Sequence, residues 1–174
     1  HHLCVNYREA YRMHISCAIM FNHESPRRGE EFVTRKITKG VSEVKAGIIE
    51  KVRLGNLNAS RDWSHSMDMM YGAWLMLQQN TPDDYILASY ETHTVKEWLE
   101  KTCEIAGVEY WNALSQDATF ERQAEVDYLK GDYSKAKKLL SWQPTKYFDE
   151  IIEEMYKADE KRVQAQFGNT GSDK

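Results

Sequence analysis

Ile15-Ser16-Cys17-Ala18-Ile19-Met20-Phe21, followed at once by Asn22-His23-Glu24-Ser25-Pro26-Arg27-Arg28-Gly29, is the stretch that decides the fold class. Its first seven residues are almost all apolar, which is typical of a strand buried on both faces in a parallel sheet. Ligands of open α/β sheets usually bind at loops that leave the ends of such strands. The stretch therefore predicts a buried strand that leads into a binding loop.

Helical and strand patterns alternate on both sides of this stretch. Apolar residues from Leu3 to Tyr11 recur at imperfect helical spacing, so we expect the chain to begin inside a helix. Further along, the patterns predict strands at 52–54 and 85–88, an extended segment at 108–114, and helices at 32–47, 67–79, 94–107, 132–140 and from 148 onward. This alternation predicts an α/β architecture in which helices cover a mainly parallel sheet.

Composition and charge narrow the classes of function. The chain has 174 residues, 41% of them hydrophobic, and a formal net charge of −4, which predicts a soluble protein of one domain or slightly more. Its best apolar run, 71–77, is too short to span a membrane, and a pI near 5.9 does not favour nucleic acid. The three cysteines fit neither a disulfide framework nor a metal site, and no signal peptide is evident. We therefore expect no metal, no membrane, reduced thiols and a cytoplasmic location.

Three loops carry charged residues that could bind an anion. In the loop at 22–30, Arg27 and Arg28 are adjacent, and the alternative is that both are solvated loop charges. The loop at 55–63 contains Arg61, for which the pattern favours a surface turn at Arg61-Asp62 with Trp63 in the core. The segment 120–127 is charged without a helical stripe, which favours a solvated loop. The acidic residues of the last helix, Glu153, Glu154, Asp159 and Glu160, suggest a solvated helix face.

The familiar phosphate-binding loops are missing from the sequence. Neither Gly-x-Gly-x-x-Gly after a strand nor Gly-x-x-x-x-Gly-Lys-Ser/Thr occurs. We infer that these residues cannot form a pyrophosphate loop of either type by themselves.

Taken together, the candidate loops resemble GDP-mannose 4,6-dehydratase, a family of extended short-chain dehydrogenases/reductases that use NADP. The resemblance spans residues 6 to about 142. It rests on Asn6-Tyr7-Arg8-Glu9-Ala10-Tyr11, Phe21-Asn22-His23-Glu24-Ser25-Pro26-Arg27-Arg28-Gly29-Glu30, Phe32-Val33-Thr34-Arg35-Lys36-Ile37-Thr38, Leu54-Gly55-Asn56-Leu57, Arg61-Asp62-Trp63, Trp74-Leu75-Met76-Leu77-Gln78-Gln79, Glu125-Val126-Asp127, Gly131-Asp132 and Ser134-Lys135-Ala136-Lys137. The second of these is the most specific, because related sugar-nucleotide enzymes usually carry an Asn-x-Tyr-Gly-Pro type of loop at this place.

The resemblance covers only the C-terminal half of the family's fold. It implies the C-terminal strands of a Rossmann-like parallel sheet plus a small mixed α/β substrate-binding lobe at residues 1–165, with a flexible tail at 166–174. The glycine-rich cofactor loop, the Thr and Glu near the sugar and the Tyr-x-x-x-Lys pair belong to the other half. No catalytic residue is therefore expected in this chain.

The resemblance also implies roles for particular residues. The expected contacts are His23 and Arg28 to NADP, Asn22 to the sugar-nucleotide, Val33 and Lys36 to the guanine side, Arg61 and Arg122 to the diphosphate, and Glu125 to a neighbouring hydroxyl. The family reaction moves hydride from the sugar C4 to NADP, eliminates water across C5 and C6, and returns hydride to C6. We expect a GDP-sugar such as GDP-mannose as the partner, and a homo-oligomer for the full-length form. The alternatives are a non-catalytic fragment that binds a GDP-sugar or docks onto an N-terminal half, or a related GDP-sugar reductase or epimerase.

Three positions depart from the family pattern. Gln123 follows Arg122 where the family usually has proline, which removes a fixed φ angle beside that arginine. Tyr90 lies in a turn that usually contains glycine, and Ser141 replaces a glycine directly. If those glycines serve positive φ, Tyr90 and Ser141 are strained or the turns differ.

Overall fold

The computed structural model describes residues 1–117, 119 and 126–167. Its helices are α1 (His2–Tyr11), α2 (Val33–Lys45), α3 (Ser66–Leu77), α4 (Val95–Ala106), α5 (Tyr110–Ala113), α6 (Ser134–Leu140) and α7 (Phe148–Phe167). Its strands are β1 (Ala18–Met20), β2 (Asn22–Glu24), β3 (Val52–Leu54), β4 (Ser60–Arg61), β5 (Trp63–His65), β6 (Tyr85–Leu87), β7 (His93–Thr94) and β8 (Leu114–Gln116). The chain divides into two compact units, 1–23 with 62–92 and 129–147, and 24–61 with 93–128 and 148–174.

In the first unit, the predicted strand after α1 forms a parallel pair. β1 pairs with β6 in a register that sets Ile19 opposite Ile86. The helices α3 and α6 pack against β6, and Trp142 lies in the core they share, with its indole N–H donating to the Asp68 carbonyl at 2.9 Å. Ile19 is nevertheless 47% exposed, so the expectation of a strand buried on both faces is wrong at this residue.

The second unit is built on three helices, α2, α4 and α7, that pack against one another. The capping box predicted for α4 is present, because Thr94 accepts from the Glu97 amide while the Glu97 carboxylate accepts from the Thr94 amide. β3 pairs with β8 in parallel, and β4 pairs with β7 antiparallel. The apolar faces of the helices supply a core that includes Ile37, Val41, Trp98, Leu99, Ile151, Ile152 and Met155.

The predicted α/β architecture with parallel strand pairs is confirmed, with local corrections. The strands in the described part of the chain form four two-stranded pairings instead of one continuous sheet. The segment predicted to be extended at 108–114 contains the short helix α5 and becomes a strand only at Leu114. Helix α7 runs to Phe167, and residues 168–174 lie outside the described part. None of the helices described could cross a membrane.

Tyr90 and Ser141, the two residues for which the sequence raised the question of positive φ, both adopt the left-handed conformation. Tyr90 has φ +66° and Ser141 has φ +53°. The turns therefore keep a geometry that favours glycine, and the side chains bear its steric cost. The turn at Tyr90 is stabilised by a residue distant in the sequence, because the buried Asp62 carboxylate accepts a hydrogen bond from the Tyr90 amide at 3.1 Å.

Candidate functional site

The loop after β1 opens with two residues that the sequence assigns to ligands. Asn22 and His23 lie on β2, which pairs with β5, and both are half-buried. The Nδ1 atom of His23 lies 3.0 Å from the Phe21 carbonyl oxygen, which can only accept. Nδ1 therefore carries a hydrogen, and in the neutral ring Nε2 is the acceptor.

Arg28 is held by its own loop, whereas Arg27 is exposed. The Arg28 guanidinium lies 3.6 Å over the Phe32 ring, and its Nε is 3.2 Å from a carboxylate oxygen of Glu24. Glu24 is itself buried and accepts the Thr34 hydroxyl at 2.7 Å. The alternative of two solvated loop charges is therefore wrong for Arg28, whose guanidinium has a fixed carboxylate and aromatic environment.

Lys36, in the first turns of α2, lines an open pocket of about 240 Å³. The remaining lining residues are Gly40, Glu43, Ile49, Lys51, Val52 and Arg53. Burial lowers the pKa of Lys36, and the nearby positive charge of Arg53 lowers it further. Val33, the other predicted guanine-side residue, is half-buried at the start of α2 but does not line this pocket.

Arg53 is a pocket residue that the sequence reasoning missed. It lies on β3 between the buried Val52 and Leu54, so the strand alternation directs it away from the core. Its guanidinium pairs with Asp117, whose pKa falls to about 2 because Thr119 donates two hydrogen bonds to it and Arg53 adds its charge. The apolar–charged–apolar alternation of residues 52–54 was the sequence signal that the Arg53 side chain would face away from the core.

Gly40 allows helix α2 to approach β3 closely. A Cβ atom at this position would lie 2.7 Å from a methyl carbon of Val52, closer than real contacts allow. The pocket between Lys36 and Arg53 therefore depends on a small residue at position 40.

Arg61 lies on β4, where it is paired with His93 of β7, and is half-buried. Its Nη1 donates to the Ser60 carbonyl at 2.9 Å. The predicted surface turn is wrong for the next residue, since Asp62 is fully buried, while Trp63 is in the core as expected. Arg122 and Glu125 lie outside the described residues, so the shared cleft of Arg28, Arg61 and Arg122 stays a prediction.

The burial of Asp159 contradicts the expectation that the acidic residues of α7 form a solvated face. This residue is 1% exposed. Its carboxylate accepts hydrogen bonds from Arg35, Thr38 and Arg162. In the part of the chain that the structure describes, no cluster of three or more His, Cys, Asp or Glu residues is placed to hold a metal ion.

Comparison with known proteins identifies a family. The family model described as GDP-mannose 4,6 dehydratase matches residues 1–155. The chain is 48% identical over 159 residues to GDP-mannose 4,6 dehydratase 1 of Arabidopsis thaliana, covering 91% of this chain and 44% of the relative. It is 41% identical over 174 residues to the Homo sapiens GDP-mannose 4,6 dehydratase, covering 90% of this chain and 47% of that protein. The chain thus spans about half the length of the curated relatives it matches.

Solved structures agree on the fold. The structure of RMD from Pseudomonas aeruginosa complexed with NADPH superposes with a TM-score of 0.84 at 22% identity, covering 93% of this chain and 54% of that one. A dTDP-glucose 4,6-dehydratase from Bacillus anthracis in complex with NAD gives a TM-score of 0.78 at 18% identity, covering 94% and 50%. At these identities the likeness establishes the fold alone.

Proposed function

Because the chain belongs to the GDP-mannose 4,6-dehydratase family, we propose that it is the GDP-sugar-binding part of an enzyme that converts GDP-mannose to GDP-4-keto-6-deoxymannose. The observation that carries this proposal is the cationic pocket beside Lys36, at the residue that the resemblance assigns to the guanine side. The pocket belongs to the second unit and is formed by α2, the segment that leads into β3, and β3 itself.

The lining of this pocket suits a nucleobase with several acceptors. Guanine presents a carbonyl oxygen and a ring nitrogen that accept hydrogen bonds. Lys36, Lys51 and Arg53 all carry N–H donors, and Ile49 and Val52 supply apolar surface for the faces of a base. The lowered pKa of Lys36 reflects the cost of holding this ammonium partly out of water, which an acceptor on a ligand would offset.

The diphosphate is assigned to Arg61 and Arg122. A guanidinium can bind phosphate oxygens through two parallel N–H bonds, which makes arginine well suited to a GDP-sugar. Asn22 and Glu125 are the remaining proposed contacts, to the sugar-nucleotide and to a hydroxyl.

The cofactor is proposed to be NADP, contacted by His23 and Arg28. The Arg28 guanidinium, oriented by Glu24 and Phe32, suits an anionic group of a dinucleotide. The His23 ring is fixed through Nδ1, and its Nε2 suits a hydroxyl or amide donor of the same ligand. When bound, the cofactor would accept hydride from the sugar and return it. The residues of this chain bind and orient, and they supply no proton-transferring group of the family reaction.

A GDP titration by isothermal calorimetry tests the binding contacts. We expect Arg61→Ala and Arg122→Ala each to weaken GDP affinity about tenfold or more, because a charge-assisted hydrogen bond contributes roughly 1.5 to 3 kcal/mol. Arg27→Ala is the matched control, since Arg27 is exposed and has no assigned contact. Unchanged affinity in both arginine variants would show that these side chains do not bind the diphosphate.

Turnover separates the enzymatic from the non-catalytic alternative. We expect the 174-residue chain to form no 4-keto product from GDP-mannose and NADP, and a longer chain with the upstream family residues to form it. A product other than the 4-keto-6-deoxy sugar from that longer chain would favour the reductase or epimerase alternative.

A second candidate function is docking onto a separate dinucleotide-binding half. It is favoured by a stripe on α3 in which apolar side chains recur at helical spacing yet are exposed: Met67, Met70, Tyr71, Trp74 and Leu77. Exposed apolar surface of this extent is typical of contact with another polypeptide. Product formed when the two halves are mixed, and by neither alone, would support this candidate.

Two further expectations belong to this proposal. We propose a cytoplasmic location, with which the free thiols at Cys4, Cys17 and Cys103 agree. We also propose that the full-length form is a homo-oligomer, which light scattering on that form would check.

A further inference from the structure

Arg35 makes contacts that neither the sequence pattern nor the assigned site residues explain. It lies in the first turn of α2 and is 7% exposed. Its Nε donates to both carboxylate oxygens of Asp159, at 2.7 and 2.8 Å. Its Nη1 donates to the carbonyl oxygens of Arg28, at 2.7 Å, and Pro26, at 3.3 Å. One guanidinium therefore joins helix α7 to the backbone of the loop that carries Arg28.

The loop is already partly closed by its own hydrogen bonds. The Arg28 amide donates to the Ser25 carbonyl at 2.9 Å, and the Arg27 amide donates to the Ser25 hydroxyl at 3.2 Å. These bonds set the shape of the turn but do not attach it to a helix. Thr34 of α2 holds the start of the loop through Glu24. Arg35 attaches the turn itself, because its Nη1 donates to the carbonyls on either side of Arg27.

Packing of α2 on α7 does not by itself require an ion pair. Buried pairs can often be replaced by apolar residues of similar volume with little loss of stability. An apolar side chain at position 35 could fill the same space but could not donate to the loop carbonyls. The specific contribution of Arg35 is therefore directional, and Asp159 makes it possible by compensating the buried positive charge.

We infer that Arg35 is a positioning residue that fixes the loop backbone so that Arg28 presents its guanidinium to the anionic cofactor in one orientation. The inference rests on the proposed function, in which Arg28 contacts NADP. Glu24 and Phe32 orient the Arg28 side chain, and Arg35 fixes the position of the Arg28 backbone from which that side chain extends.

The first test measures the loop itself. Arg35→Met combined with Asp159→Leu removes the pair without leaving a buried charge unpaired, so the variant is expected to fold. Amide hydrogen exchange followed by NMR should be at least tenfold faster at Arg28 in this variant. Lys45→Ala is the matched control, because the Lys45–Glu160 ion pair at 2.7 Å also joins α2 to α7 without touching the loop. Exchange at Arg28 that is unchanged in the double variant would overturn the inference.

The second test links the loop to the ligand through a double-mutant cycle on the NADPH affinity of the longer chain that carries the upstream family residues. Arg35→Lys keeps a charge beside Asp159 but cannot donate to both partners with a planar fork, so we expect about tenfold weaker NADPH binding. In an Arg28→Ala background the same change should have almost no further effect, whereas a merely structural role would give additive losses. Additive losses would refute the positioning role.

The two tests also distinguish a failure of this inference from a failure of the proposed function. If Arg28→Ala leaves the NADPH affinity of that longer chain unchanged, the cofactor contact is wrong, while the exchange rate at Arg28 still decides whether Arg35 fixes the loop. If exchange accelerates but NADPH affinity in the Arg35 variants equals that of the unchanged chain, the link to the cofactor is overturned.

Discussion

Asp62→Ala is expected to be among the most destabilising single substitutions in the first unit. The Asp62 carboxylate is fully buried and accepts hydrogen bonds from the Ser89 amide and hydroxyl, both at 2.7 Å, and from the Tyr90 and Gly131 amides, both at 3.1 Å. It thereby joins the turn after β6 to the segment that leads into α6.

The expected decrease in the free energy of unfolding follows from the hydrogen-bond donors that lose Asp62 as their acceptor. The Ser89 hydroxyl lies 3.2 Å from the Glu91 carbonyl, which can accept its hydrogen once Asp62 is removed, and the Tyr90 amide is only partly buried, so neither donor is left without an acceptor. The Ser89 and Gly131 amides are buried, and an unsatisfied buried donor costs roughly 1 to 3 kcal/mol. With the loss of support for the positive φ at Tyr90, we expect a decrease of about 3 to 5 kcal/mol in the free energy of unfolding.

Denaturant unfolding followed by circular dichroism measures this change, and amide exchange at Gly131 locates it. Asp132→Ala is the control: Asp132 is exposed and its carboxylate accepts hydrogen bonds from Ser134, at 2.8 Å from the amide, so the loss should stay below about 1 kcal/mol. A decrease smaller than 1 kcal/mol for Asp62→Ala, with exchange at Gly131 unchanged, would refute the reasoning.

Two further predictions concern strain and pH. Ser141→Gly should stabilise the chain by about 1 kcal/mol, measured by thermal unfolding, because the exposed Ser141 has φ +53° at the end of α6; a lower melting temperature would contradict this. The pKa of Asp84 is lowered by its hydrogen bond with Arg8, so the stability it gives to α1 is complete above its ordinary value of 3.8 and is lost as pH falls below it. Amide exchange in α1, corrected for intrinsic rates, should therefore accelerate from pH 5 to pH 2.5, and Arg8→Met should remove most of this dependence; equal protection at both pH values would contradict it.

Local patterns predicted the elements whose signals are local. The boundaries of α4 followed from Thr94 and Glu97 as a capping box and Gly107 as the terminator, and Gly107 does adopt φ +67°. Each of these signals acts within one turn of the helix, so no tertiary contact is needed to predict it. The segment 108–114 has no such signals, and its short helix α5 was missed.

Buried charges were the part of the structure that pattern reasoning misjudged. Asp159 was grouped with its acidic neighbours, although its spacing from Ile152, Met155 and Val163 places it on the apolar face of α7. That periodicity could have shown that Asp159 is buried. Its partner Arg35 is 124 positions away, and no pattern within one sequence identifies such a pair.

For the candidate site, the sequence carried no signal for the surroundings of the assigned residues. The assignment of Arg28 to a ligand stays a prediction, and no local pattern indicated that Glu24 and Phe32 would contact its guanidinium. A carboxylate beside the guanidinium competes with an incoming anion, which lowers affinity for a single phosphate. The same contacts remove side-chain freedom that a ligand would otherwise have to restrict, which favours an anion that matches the preset orientation. A loop arginine held in this way is therefore better suited to selecting one anionic ligand than to attracting any phosphate, which is the behaviour that the proposed NADP contact requires.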